Sequence, residues 1–289
     1  MSALLAWALP GYGAAGEPWH ETVLHVYPVG PRFDDRWRLL EIALSHVAEH
    51  PGQYRLLPYE GEPTQRRAFA LLADSELDVL SYGSTPEREQ GFRPVRIDLL
   101  RGMLGYRVLL ARSSELDRIA HLDLDALRKT VRYGGASDTQ QANLAVMQAN
   151  GFTTDASARR ERMYDMLAAG RFDAYLTGLN ELATESRELQ EHHNDVARVP
   201  GLAFFYPFPV YFWVRRDNAA LARLIERGLR ASLADGSFRR EFEASHADAI
   251  ALVRSEPQRV IRLDNPLLPP AASETVDPAW WWPTAAGSH

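Results

Sequence analysis

The chain has 289 residues, 46% of them hydrophobic and 24% charged, with 32 Lys+Arg against 38 Asp+Glu for a formal charge of −6. That balance excludes disorder over most of the chain, and its acidic sign argues against nucleic acid as a partner. The absence of cysteine removes disulfide frameworks, thiolate nucleophiles and Cys-ligated metal centres. At the N-terminus, Ala3 to Leu9 form a short apolar core and Gly13-Ala14-Ala15 a small-residue cleavage candidate. Residues 1–19 therefore read as the remnant of a secretory signal without its basic start, or as a disordered tail. No run reaches the ~18 apolar residues that a membrane-spanning helix needs.

From Thr22 onward short apolar runs alternate with helical patterns. Thr22 to Tyr27 reads as a strand closed by Pro28. Asp35 to His50 reads as a helix whose stripe is Trp37, Leu40, Leu44 and Val47, stopped by Pro51-Gly52. Tyr54 to Tyr59 is a strand, Thr64 to Ala73 a helix and Leu77 to Leu80 a strand. This order marks a mostly parallel sheet covered by helices. The pattern then restarts, with a strand at Tyr106 to Leu110, a short helix at Leu124 to Arg128 and a strand at Thr130 to Tyr133. Helices follow at Asp138 to Asn150 and Arg160 to Ala169, then a strand at Asp173 to Leu176. A dense aromatic strand region, Phe204 to Val214, precedes two long helices, Leu221 to Leu233 and Ser237 to about Val253. The tail from Pro266 carries Trp280-Trp281-Trp282, aromatic area expected to pack on its own domain.

His46 and His50 with Glu49 fit a His-x-x-Glu-His zinc pattern. The segment ends against Pro51-Gly52, where histidines also suit a helix C-terminus by charge alone, so no metal is expected. His192-His193 reads as a solvated loop. No phosphate loop, nucleophile elbow or dinucleotide fingerprint is present, and no cofactor is expected.

Four segments, in this order, resemble the extracellular solute-binding proteins of amino-acid ABC importers, which have the type II periplasmic-binding-protein fold. Ser84-Thr85-Pro86-Glu87-Arg88 resembles the Thr-x-x-Arg segment after the third strand of that family. Leu124 to Val131 resembles its entry into the second lobe, and Met163 to Ala174 its Leu-x-x-Gly-Arg-x-Asp-Ala signature. Val210 to Phe238 resembles its return to the first lobe. The resemblance implies a two-lobed α/β protein. Residues 20–104 and 207–289 would form lobe one and 105–206 lobe two, with crossings near Gly105 and near Phe204 to Pro207. It implies a periplasmic monomer that captures a small polar, carboxylate-bearing ligand between its lobes for an ABC permease at the inner membrane. A sensory or interaction module of the same fold, or a periplasmic dehydratase-like enzyme, are the alternatives.

By the same resemblance Arg88 would grip the ligand's carboxylate with two parallel hydrogen bonds. Ser84 and Thr85 would add hydroxyl contacts, although both also suit a cap for the turn at Pro86. Ser81, Tyr82 and Gly83 stand at a strand's carboxyl end, where α/β sheets bind ligands. Ser137 and Asp138 open a helix whose N-terminus suits an anion, or Asp138 is its N-cap. Tyr27 and Phe33 follow the first strand, where the family stacks an aromatic on the ligand; Trp37 reads as core. The family's ammonium-pairing Asp falls here on Gly178. That puts a standard α-amino acid in doubt and leaves Thr177 and Glu181 as the nearby polar contacts.

Overall fold

The computed structural model describes residues 20–136, 141–158, 162–182, 185, 189, 191–256, 259–270 and 272. The secretory-signal reading, Ser137, Asp138 and the Trp-rich end of the tail lie outside the described residues.

The first lobe is built on β1 (Thr22–Tyr27), β2 (Tyr54–Pro58), β3 (Val79–Gly83), β4 (Phe92–Val95) and β10 (Val210–Arg215). They form a sheet in the order β2-β1-β3-β10-β4. β1, β2 and β3 run parallel, and β10 is antiparallel to both neighbours. β1 alternates, burying Leu24 and Val26, while β3 is buried throughout, as a central strand covered on both faces must be. Helix α1 (Asp34–Ser45) lays Trp37, Leu40, Ala43 and Leu44 on this sheet, and Trp37 stacks on Phe212. Helix α2 (Gln65–Ala73) brings Phe69 and Leu72 to the other cluster, beside Tyr82 and Trp213. The short α3 (Pro86–Gly91) links β3 to β4.

The second lobe holds β5 (Tyr106–Arg112), β6 (Arg132–Ala136), β7 (Thr153–Ala158), β8 (Ala174–Gly178), β9 (Val196–Phe205) and β11 (Arg259–Arg262). Their order is β11-β9-β5-β8-β6-β7. β5 is antiparallel to β8 and β9, whereas β6 is parallel to both its neighbours. Helices α4 (Leu116–His121), α5 (Leu124–Thr130), α6 (Gln141–Ala149) and α7 (Met163–Ala168) accompany it. Tyr133, Phe152 and Phe204 meet edge to face at its centre. After β10 the chain closes with α8 (Ala219–Ala234), α9 (Ser237–Ser245) and α10 (Ala247–Ser255).

Three sequence expectations change. The helix expected to reach His50 stops at Ser45, where the Ser45 hydroxyl and the His46 ring both turn back onto the Ile42 carbonyl. His46 and His50 therefore do not share a helix face, and His46 pairs with Asp235 at 2.8 Å instead. The long helix from Ser237 divides at His246, whose backbone leaves the helical region (φ −117°, ψ 23°). Its imidazole lies 3.3 Å from the buried Asp35. Finally, residues 259–262, grouped by sequence with the first lobe, pair in parallel with β9 and extend the second sheet. An open strand edge exposes unpaired backbone groups, and β11 satisfies that edge.

The chain first crosses between the sheets on two adjacent segments, and passes to the second sheet once more where β11 joins β9. Tyr106 of β5 faces Phe205 of β9, and the Tyr206 amide donates to the Gly105 carbonyl at 3.2 Å. A Cβ on Gly105 would stand 1.9 Å from the Tyr206 carbonyl oxygen, so only glycine lets the crossings touch. Beside them the wholly buried Asp98 accepts from the amides of Leu100 (3.1 Å), Gly102 (2.6 Å) and Val210 (3.0 Å). Burial pushes its carboxyl up to about 6, against the pull of those three N–H groups.

Candidate functional site

The carboxyl ends of β1 and β3, the start of β5 and the end of β8 meet at the seam between the lobes. From the first lobe, the turn after β1 carries Arg32 and Phe33, and α1 carries Arg36. The Phe33 ring lies under both guanidinium groups, 5.7 Å from that of Arg32 and 4.9 Å from that of Arg36. Arg36 is 5% exposed. Its Nη1 donates to the Ser81 carbonyl at 3.2 Å, and its Nε has no hydrogen-bond partner among the described residues. The adjacent Asp35 is electrostatically favourable to it, but one of its oxygens faces His246. Burial raises the Asp35 carboxyl; the hydrogen bond from His246 and the Arg36 charge outweigh that and hold it below the ordinary range.

Arg88 stands in α3. Its side chain folds over the rings of Phe69 (5.0 Å) and Tyr82 (5.3 Å). Nη1 donates to the Gly83 carbonyl at 2.5 Å and Nη2 to Gln65 Oε1 at 2.7 Å, both neutral acceptors. Burial lowers its pKa to about 10. Neither Glu87 nor Glu89 forms an ion pair with it; Glu89 holds Arg96 at 2.5 Å and receives the Ser84 hydroxyl at 2.8 Å. Thr85 accepts from the Arg88 amide, the N-cap geometry its alternative reading describes. Tyr82 is electrostatically coupled to Arg88, Arg36 and Tyr27, and its burial raises its pKa. The Tyr27 hydroxyl donates to the Pro63 carbonyl at 3.0 Å, and Trp37 Nε1 to the Pro28 carbonyl at 2.7 Å.

From the second lobe comes Arg107, 2% exposed. Its Nε donates to the Tyr206 hydroxyl at 3.1 Å and its Nη2 to Asn143 Oδ1 at 3.0 Å. Arg107 and Gly178 are register partners across β5 and β8, so their side-chain directions share one sheet face. A Cβ on Gly178 would lie 3.2 Å from Arg107 Nη1, 2.7 Å from Asn180 Oδ1 and 3.5 Å from Glu181 Cγ. Glu181 pairs with Arg32 of the first lobe, a contact that ties the two lobes together. Thr177 is fully buried on the other face of β8, its hydroxyl without a partner among the described residues.

The seam therefore gathers Phe33, Ser81, Tyr82, Arg88 and Glu181 from the sequence candidates. Ser84 and Thr85 are engaged by their own lobe, and Thr177 faces away from Arg107. Sequence reasoning passed over Arg32, Arg36, Arg107, Asn143 and Tyr206. A groove lined by Leu44, Ala48, His50 and Tyr54 lies at the far end of α1, and the arginine in its lining, Arg55, is exposed and paired with Glu21. Among the described residues no cluster of His, Asp and Glu could hold a metal, and no helix is long and apolar enough to cross a membrane.

No protein-family profile matches the chain, and no curated protein matches it. Solved structures do. An amino acid ABC transporter substrate-binding protein, AbpA of Streptococcus pneumoniae, bound to L-arginine, is 14% identical with a TM-score of 0.52, covering 79% of this chain and 95% of its own. A periplasmic His/Glu/Gln/Arg/opine family-binding protein of Silicibacter pomeroyi in complex with lysine is 14% identical at 0.53, covering 76% and 87%. An ancestral arginine-binding protein bound to arginine is 18% identical at 0.52, covering 77% and 97%. At these identities the likeness is one of fold. The chain has the two-lobed α/β architecture of the substrate-binding proteins of amino-acid ABC transporters, the type II periplasmic-binding-protein fold.

Proposed function

We propose that this chain is a solute-binding protein of the periplasm. It captures a small polar ligand bearing a carboxylate between its lobes and delivers it, as a monomer, to an ABC-type importer at the inner membrane. The observation that carries this reading is the pair Arg36 and Arg88. Both are largely buried around Tyr82 at the carboxyl end of β3, and both spend their donors on neutral acceptors. The acids that favour Arg36, Asp35 and Glu181, are shared with His246 and Arg32, and a ligand carboxylate would add counter-charge to both buried cations. Ser81 lies within the same reach, and Tyr27, Phe33 and Tyr82 offer aromatic surface. Binding in the seam would hold the lobes closed about the crossings at Gly105 and Tyr206.

Thermal unfolding of the full chain against small carboxylates, amino acids and neutral polyols tests this. A carboxylate at a hundred times its Kd raises Tm by roughly 5 °C or more, whereas polyols leave it unchanged. Arg88→Ala abolishes the shift. An undiminished shift in that variant removes Arg88 as the anchor, and a wild type that responds to no carboxylate removes the reading.

A further inference from the structure

We infer that the seam takes a ligand with two anionic groups and no ammonium, a dicarboxylate. The inference rests on the solute-binding reading and names its ligand class. The second lobe carries it. Arg107 is almost completely buried, and its bonded acceptors are the hydroxyl of Tyr206 and the amide oxygen of Asn143. No carboxylate lies within ion-pairing distance of it among the described residues. Across the β5/β8 pair, the place a side chain at position 178 would fill lies against the guanidinium itself. The acid nearest to it, Glu181, is paired with Arg32. On the facing wall Arg36 is buried with its Nε unpartnered, and its electrostatic neighbours include Asp35, which also faces His246, then Glu181 and Arg32.

Cations thus stand on both walls, with Glu181 between them. A zwitterion would bring its ammonium against one of these guanidinium groups, with desolvation and like-charge repulsion adding. A second carboxylate would instead neutralise Arg107 while the first meets Arg36 and Arg88. A side chain at position 178 would press on Arg107 and on Asn180 Oδ1, so the second carboxylate takes this place as the Asn180 side chain turns aside, while Tyr206 and Asn143 hold the guanidinium where it is.

Isothermal calorimetry on the full chain separates the classes. The probes are succinate, glutarate and adipate, each compared with butyrate, and L-aspartate and L-glutamate compared with their deaminated skeletons. One dicarboxylate binds at least about tenfold more tightly than butyrate, a factor one additional charged contact supplies, and more tightly than its amino-substituted counterpart. Arg107→Gln weakens that dicarboxylate at least about tenfold and changes butyrate binding by less than about threefold. Gly178→Asp, which sets a carboxylate against Arg107, reverses the preference toward the amino acid. L-glutamate or L-aspartate binding more tightly than glutarate or succinate overturns the dicarboxylate assignment and leaves the solute-binding reading intact, as does butyrate binding equally well. A wild type that binds none of these probes, amino acids included, overturns both.

Discussion

Buried charge is handled in opposite ways at the joint and at the seam. At the joint, the Asp98 carboxylate is fully enclosed and satisfied by three backbone amides from the two crossing segments. At the seam, Arg36 and Arg107 are nearly as enclosed, yet their partners are a backbone carbonyl, a phenol and an amide, and one guanidinium nitrogen has none. Asp98 has both oxygens hydrogen-bonded within the chain and needs no outside partner, although burial still disfavours its charged form; a buried guanidinium with few partners gains from a counter-charge brought from elsewhere. On the proposed reading the joint is the structural part and the seam the ligand-binding part, and substitutions should separate them by sign.

The largest effect is expected at the crossing. Gly105→Ala forces a methyl against the Tyr206 carbonyl and should cost about 3 kcal/mol or more in urea unfolding, because neither strand can retreat. A loss below about 1 kcal/mol would show that the crossings separate easily and that the joint is not rigid.

Asp98→Asn comes next. The amide oxygen can keep the Leu100 and Val210 donors, but its NH2 group then confronts the Gly102 amide, at a cost of about 1–3 kcal/mol at pH 7. The pH dependence sharpens this. The folded carboxyl is pushed up to about 6 from an ordinary 3.8, so the native state holds the proton more tightly than the unfolded chain. Its contribution is fully present below 3.8 and declines as pH rises through about 6. Wild-type stability should therefore carry a downward slope over that window that Asp98→Asn lacks. Identical slopes in the two proteins would contradict the buried-carboxyl account.

The smallest effect belongs to the surface pair His46–Asp235. Hydrogen bonds to the Ile42 carbonyl and to Asp235 raise the folded pKa of His46 above its ordinary 6.5. Its contribution is fully present below 6.5 and lost as pH rises through the folded value. The unfolding midpoints of wild type and His46→Ala should differ at pH 5.5 and converge by pH 8.5, and a constant difference would point to packing rather than charge.

The alternation of strand and helix was legible because it depends on local periodicity: β1, α1, α2, β3, β5, β8 and α8 all follow apolar spacing within short windows. β11 was not, because Arg259–Arg262 is a short edge strand recognisable only from its partner β9. The first wall of the seam was partly legible, since Ser81, Tyr82 and Arg88 lie close together in sequence, whereas the neighbouring Ser84 and Thr85 are engaged within their own lobe. The second wall was not, because its partners lie far apart: Arg32 and Glu181 are separated by 149 positions, and Arg107 and Asn143 by 36. Two signals were nevertheless present. Arg36 stands one helical turn before Leu40, on the buried stripe of α1, and Arg107 interrupts the otherwise apolar run Tyr106 to Ala111. A charged residue on an inward face is costly enough to require a reason. Gly178 was noticed as a missing acid, but the guanidinium beside it is visible only in three dimensions.

Urea unfolding of wild type and Arg107→Met, with and without a saturating dicarboxylate, bears most directly on whether the seam's cations await a ligand. Without ligand, Arg107→Met should be as stable as wild type or up to about 2 kcal/mol more stable, because it removes a buried charge and leaves the Tyr206–Asn143 hydrogen bond in place. With ligand, wild type should become the more stable of the two. A ligand-free Arg107→Met that loses about 2 kcal/mol or more would show that Arg107 supports the fold by itself, contradicting a seam built to meet an anion.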